Sequence, residues 1–200
     1  MGGRRTVGII TISRQIGAGE TTIAPKVAEE LGWDCVDRQI LDRELEETGI
    51  ALPYLVHYDE RIPDKEDARA HPEQAARYFA ALTRIIREYA DRGNVVIVGR
   101  GANFILKDYD ALHFRLIADL PFRIRRVMEV RWVNEKPARE IIAQSDRERK
   151  EFIRHYFHAD WEDPVHYHAV LNTSKLGIET VVARIVAAAR DRWHLEGDRT

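Results

Sequence analysis

The 200-residue sequence has a single cysteine, Cys35, and only two methionines. One thiol cannot close an internal disulfide, which excludes a disulfide-stapled secreted scaffold and makes a reducing cytoplasm the expected compartment. No apolar run approaches the roughly 18 residues that a bilayer span requires, so a membrane-spanning chain is excluded. The opening Met1-Gly-Gly-Arg-Arg-Thr leads into only a short apolar strand, and no secretory signal is expected. An excess of one charge is also missing, with Lys+Arg at 31 against Asp+Glu at 33 for a net charge of −2. No face gathers cations with spaced aromatics, so nucleic acid is not an expected partner. Lysine is scarce, at positions 26, 65, 107, 136, 150 and 175 only, and arginine carries nearly all the positive charge. That bias reads either as many two-point anion contacts or as the codon usage of a G- and C-rich genome.

What is present suits a globular protein: 44% hydrophobic and 32% charged residues over a length that fits one domain, expected to span 1–200. Val7-Gly-Ile-Ile-Thr-Ile12 is a short apolar run that ends in a glycine loop. Ile23, Val27, Ala28 and Leu31 then recur at helical spacing up to Gly32. Trp33-Asp-Cys-Val36 reads as a second strand and 39–48 as a helix. Pro53, Pro63 and Pro72 punctuate a polar stretch, and an amphipathic helix is expected from Pro72 to Ala90 with Ala75, Phe79, Leu82, Ile86 and Tyr89 on one face. Val95 to Val98 is a continuous apolar strand of the kind a doubly covered parallel sheet contains. Ala111 to Ala118 is a further strand, an Arg-rich helix and a charged helix follow, Val170-Leu171 ends a last strand, and 178–193 is the terminal helix. Strands separated by helices predict a three-layer α/β fold, a parallel sheet flanked by helices with the strand-end loops on one rim.

A phosphate-binding P-loop reads G-x-x-x-x-G-K-[ST], because backbone N–H groups cradle phosphates, the lysine reaches the terminal ones and the hydroxyl holds Mg²⁺. The window here is Arg14-Gln-Ile-Gly-Ala-Gly-Glu-Thr-Thr22. Gly17, Gly19 and Thr21 fit, Arg14 replaces the first glycine, and Glu20 stands where the lysine belongs. A carboxylate there repels a triphosphate unless a cation or an outward rotation relieves it. The glycines alone would equally serve the tight turn of any doubly wound sheet.

Five segments occur in order: Ile10 to Gly19, Val36-Asp-Arg-Gln-Ile-Leu, Val98-Gly-Arg-Gly-Ala-Asn-Phe-Ile-Leu, Ser145-Asp-Arg-Glu-Arg, and Asn172-Thr-Ser-Lys-Leu-Gly-Ile-Glu. Together they resemble the cytidylate kinase-like family within the P-loop nucleoside monophosphate kinases, over residues 7–187 and most weakly between 49 and 75. The resemblance implies a P-loop NTPase fold with an acceptor-side helical excursion at 38–90 and a helical lid around 127–165. It implies transfer of the γ-phosphoryl of ATP, with Mg²⁺, to a small acceptor such as CMP or dCMP, in a cytoplasmic monomer or homodimer. A nucleotide-binding protein that has lost catalysis, or a kinase of another small metabolite, are the competing implications.

On that resemblance Arg14, Gly17, Ala18, Gly19, Glu20, Thr21 and Thr22 form the ATP loop, with the Thr21 hydroxyl on Mg²⁺. Asp37, Arg43 and Arg100 would bind the acceptor, and Arg123, Arg126, Asp146 and Arg149 would act on the transferring group. Asp42 stands where the family carries a tyrosine, and Gly101 where it carries the aspartate of Gly-Arg-Asp. The local readings compete residue by residue. Asp37 suits a helix N-cap, Arg43 a solvated helical arginine, and Asp146 and Arg149 a charge-laced helix. Arg100, between two glycines at a strand's carboxyl end, is expected to expose its guanidinium to the crevice. Thr173 or Ser174 would lie near the donor base or cap the last helix. His155, His158, Asp160, His166 and His168 fall close together, with His155 and His158 on one helix face at i,i+3, but match no strong zinc template. Trp33, Trp132, Trp161 and Trp193 read as core or interface anchors.

Overall fold

The computed structural model describes residues 8–47 and 72–195. Strand β1 (Ile9–Arg14) runs through the glycine loop into α1 (Glu20–Leu31), then β2 (Asp34–Val36) and α2 (Arg38–Glu47). Helix α3 (Pro72–Arg92) leads to β3 (Val95–Val98), the short α4 (Ala102–Ile105) and β4 (Leu112–Ile117). The chain closes with α5 (Leu120–Arg131), α6 (Glu135–Phe157), a 3₁₀ turn at Pro164–His166, β5 (Ala169–Asn172), α7 (Thr173–Leu176) and α8 (Ile178–Trp193). Among the described residues the strands form one sheet in the order β2-β3-β1-β4-β5, and every pairing is parallel. The three-layer P-loop-type fold expected from the sequence is the one observed.

Alternation along the strands divides the core. Ile10, Ile12, Val96, Val98, Phe114 and Leu116 pack with α1 and α8, while Ile9, Val95 and Ile97 pack with α2, α3, α4 and α6. All strands being parallel, the loops after β1, β2, β3 and β4 share one rim. The connections of β1 and β4, which are neighbours, leave in opposite directions, and this opens the crevice in which α/β sheets bind ligands.

Several local expectations shift. The buried stripe of α3 is Tyr78, Leu82, Ile85, Ile86 and Ala90: Leu82 and Ile86 of the expected face belong to it, while Phe79 stacks on Tyr156 of α6 at 4.3 Å and Tyr89 is partly buried at its edge. Trp161 and Trp193 are buried, but Trp132 is 93% exposed: it ends α5 in a left-handed conformation that turns its ring away from the core. Helix α6 stops at Phe157, so His158 (φ 53) lies beyond its last helical residue and does not continue the face of His155. Pro53, Pro63 and residues 49–71 of the stretch where the family resemblance is weakest lie outside the described residues.

The sheet face toward α6 carries a polar pair. His113 is buried and its Nδ1 is hydrogen-bonded to Thr11 Oγ1 at 2.8 Å, while its backbone N–H donates to His168 Nδ1 at 2.9 Å. Burial, and secondarily the nearby His168, lower the His113 pKa from 6.5 to about 4. The unfolded chain therefore binds a proton that the folded one refuses between those values, so this contribution is whole above pH 6.5 and lost as pH falls toward 4. At pH 5 the loss is about 2 kcal/mol. Urea unfolding of wild type and His113→Gln should show a smaller drop in stability between pH 7 and pH 5 for the variant; equal drops would refute this.

Candidate active site on the carboxyl rim

The glycine loop is set by backbone shape. Gly17 (φ 78) and Gly19 (φ 96) take left-handed angles that suit glycine, and Ala18 N–H donates to Gln15 O at 3.1 Å to close the turn. A Cβ on Gly17 would sit 2.8 Å from the Arg123 carbonyl oxygen, so the loop lies directly on α5. Glu20, standing in for the lysine, is the first residue of α1. In the first turn of that helix Thr22 N–H donates to Gly19 O at 3.1 Å, and the helix start carries the positive dipole end.

Two cavities flank the loop. The larger, about 590 Å³, is lined by Arg14, Thr21, Arg131 and Arg149, and by Asp37 with Arg38, Asp42, Arg43 and Glu46 of α2. The smaller, about 250 Å³, lies between Gly17 and Gly19 and the α5 residues Arg126, Val127, Val130 and Arg131. Ile16, Thr21 and Arg131 line both, so the cavities adjoin there. Five arginines against three carboxylates make the larger one cationic, which suits polyanionic ligands.

The structure thus brings together Arg14, Gly17, Gly19, Thr21, Asp37, Arg43, Arg126 and Arg149 of the residues singled out in the sequence. Ala18 is fully buried behind the turn and Thr22 lies one residue further into α1. Asp37 caps α2, its Oδ1 accepting from the N–H of Gln39 (2.9 Å) and Ile40 (3.2 Å), and the residue also lines the large cavity. Arg149 is buried, bonded to Ser145 Oγ, and reaches the cavity from α6.

Arg123 is placed differently. Its Nε donates to Ile16 O at 2.8 Å and its two terminal nitrogens grip Asp146 at 2.8 and 2.7 Å, so it ties the glycine loop to α6. Arg100 overturns the expectation of an exposed guanidinium: it is 2% exposed, because Asp42 and the Tyr78 hydroxyl draw it inward from a left-handed backbone (φ 56). Gly101 has a packing reason, since a Cβ there would lie 2.4 Å from the Phe157 ring at φ 67, leaving no room for an aspartate. The cap at β5 is Asn172, which accepts from Ser174 N–H at 3.1 Å and starts α7; neither Thr173 nor Ser174 caps α8, which Gly177 precedes.

Cavity-lining Arg131, Arg38 and Glu46 escaped the sequence reading. Arg131 is one of several charged residues in an Arg-rich helix, and nothing in the local pattern sets it apart. Among the described residues no three His, Cys, Asp or Glu are placed to share a metal ion. The histidines scatter: His168 bonds to the His113 backbone and His166 packs on Phe104 at 4.9 Å. Burial and then the Asp37 charge push the Cys35 thiol up to about 11, which leaves it protonated and a poor nucleophile. No helix among the described residues is long and apolar enough to cross a membrane.

Residues 9–175 match the model of the cytidylate kinase-like family. A cytidylate kinase of Pyrococcus horikoshii is 31% identical over 193 residues, covering 95% of this chain and 92% of the relative. One from Pyrococcus furiosus is 30% identical over the same shares of both chains. Among solved structures, an uncharacterized protein from Eubacterium ventriosum superposes with a TM-score of 0.73 at 23% identity, over 91% of this chain and 98% of that one. A shikimate kinase from Acinetobacter baumannii gives 0.54 at 17% identity, over 92% and 93%; both likenesses speak to the fold. With the family match spanning most of its length and a glycine loop between two cavities at the rim of its sheet, this chain belongs to the cytidylate kinase-like family.

Proposed function

We propose that the protein transfers the γ-phosphoryl group of ATP to the phosphate of a nucleoside monophosphate, CMP or dCMP. An acceptor phosphate oxygen bonds to the γ-phosphorus, the bond to the β,γ-bridging oxygen breaks, and ADP leaves with the nucleoside diphosphate as the other product. The observation that carries this reading is the meeting of two cavities at Thr21 and Arg131, beside the glycine loop. Phosphoryl transfer asks a protein mainly for two phosphate sites in line and for positive charge between them.

In this reading the loop from Arg14 to Thr22 cradles the donor phosphates with its backbone N–H groups. Arg14, Arg131 and Arg149, at the walls of the larger cavity, supply the positive charge that the absent lysine would have given. Arg126 lies against the donor in the smaller cavity, and Asp37 and Arg43 face the acceptor in the larger. Arg123 and Asp146 hold the loop against α6 and act through it. Thr21 is an exposed residue at the junction of the cavities, and its hydroxyl is an oxygen ligand of the kind a hard cation takes. Mg²⁺ held there would spread the charge of the phosphates.

The test is transfer from γ-labelled ATP to a panel of CMP, dCMP, UMP, AMP and unphosphorylated cytidine, with nucleotide binding followed by calorimetry. CMP and dCMP should be phosphorylated fastest and cytidine not at all. Tight ATP binding with no transfer to any acceptor would leave a binding protein and overturn the proposal.

A further inference from the structure

Asp42 holds an unusual position for a carboxylate facing an anion site. Its Oδ1 accepts from Arg100 Nη2 at 2.7 Å and its Oδ2 from Arg38 Nε at 3.0 Å, so each oxygen engages one arginine. Arg100 also donates to the Tyr78 hydroxyl at 3.3 Å and is almost completely buried. Asp42 itself keeps 19% of its side chain exposed and lines the large cavity that Arg43 and Arg14 also line, whereas Arg100 does not reach that lining. A carboxylate that bridges two guanidinium groups at the wall of a cationic cavity has the charge and the two-oxygen geometry of one edge of a phosphate.

We infer that Asp42 is a built-in stand-in for the acceptor phosphate. It neutralises Arg100 and Arg38 while the site is empty, and it gives way when a phosphorylated acceptor enters. A phosphate and the Asp42 carboxylate cannot share those arginines, because two anions at contact distance repel strongly in a partly buried site. A phosphate monoester carries more charge and three oxygens, and it displaces the single carboxylate. An acceptor with only a hydroxyl has nothing to offer Arg100 and leaves the pair closed. Asp42 then sets the affinity for the acceptor phosphate: it lowers the affinity of every phosphorylated acceptor and is a counter-charge to Arg100 between turnovers. The inference rests on the proposed nucleoside monophosphate acceptor.

The experiment compares wild type with Asp42→Asn by calorimetry and thermal melting, with CMP and with cytidine as probes. The variant keeps the side-chain shape but not the charge. It should melt several degrees lower without ligand, bind CMP about tenfold more tightly, bind cytidine as wild type does, and gain more melting temperature from CMP than wild type gains. Unchanged or weaker CMP binding by the variant, with wild type binding CMP normally, would make Asp42 a structural or positioning partner and overturn the inference. Failure of wild type itself to bind CMP would instead strike the acceptor reading. Should the variant not fold, a crystal of wild type grown with CMP decides. Arg100 on the phosphate with Asp42 released supports the inference, and Arg100 still on Asp42 refutes it.

Discussion

Gly17→Ala is expected to lower kcat/KM for ATP by on the order of a hundredfold or more while leaving the core folded. The residue sits at φ 78, and its new Cβ would lie 2.8 Å from the Arg123 carbonyl oxygen, a backbone atom of a packed helix. A left-handed alanine costs about 1 kcal/mol by itself, but the clash decides the outcome, because neither the loop nor α5 can yield without moving the other. The loop's N–H groups are the proposed phosphate cradle, so a shift of about 1 Å is felt in the transition state far more than in stability. Steady-state kinetics with varied ATP, alongside far-UV circular dichroism, check this. A folded variant with wild-type kcat/KM would show that this loop does not hold the donor.

The second large effect is expected at Arg123. Replacing it with methionine removes donors to Ile16 O and to both oxygens of Asp146, and leaves a carbonyl and a carboxylate without their partner. Asp146 keeps 31% of its side chain exposed and can recruit water, so the cost falls at the lower end for a broken buried pair, about 3 kcal/mol. Activity should fall on the order of a hundredfold as the glycine loop loses its tie to α6. Asp146→Asn should fall less, since the amide still accepts one of the two bonds. The double variant should be little worse than Arg123→Met alone, because the two residues act as one unit. Additive losses in chemical denaturation and in kinetics would mean that Arg123 works on the phosphates directly.

Much of this architecture was legible in the chain. Val95 to Val98 reads as a strand covered on both faces because it lacks polar alternation, and it is one. The loop glycines reveal themselves because left-handed angles exclude most other residues, and Gly17, Gly19 and Gly32 all adopt them. Even Asp37 was readable as both a cap and a rim residue. The buried stripe of α3 was harder, since periodicity gives the width of an apolar face but its rotation depends on what it meets, here Tyr156 and Phe157.

A parallel α/β sheet with its loops on one rim, and a glycine turn that has glutamate in place of lysine, follow from the order of the residues alone. These are local properties, fixed by hydrophobic period and by the backbone angles that individual residues tolerate. Which arginines face the cavity depends instead on contacts between distant elements. Arg100 is taken by a carboxylate 58 residues away and Arg123 by one 23 residues away, while Arg131, undistinguished in the sequence, lies where the two cavities meet. An arginine's long side chain ends several ångströms from its own backbone. Its direction is therefore set by whichever partner another element presents, and no reading of its neighbours in the chain supplies that partner.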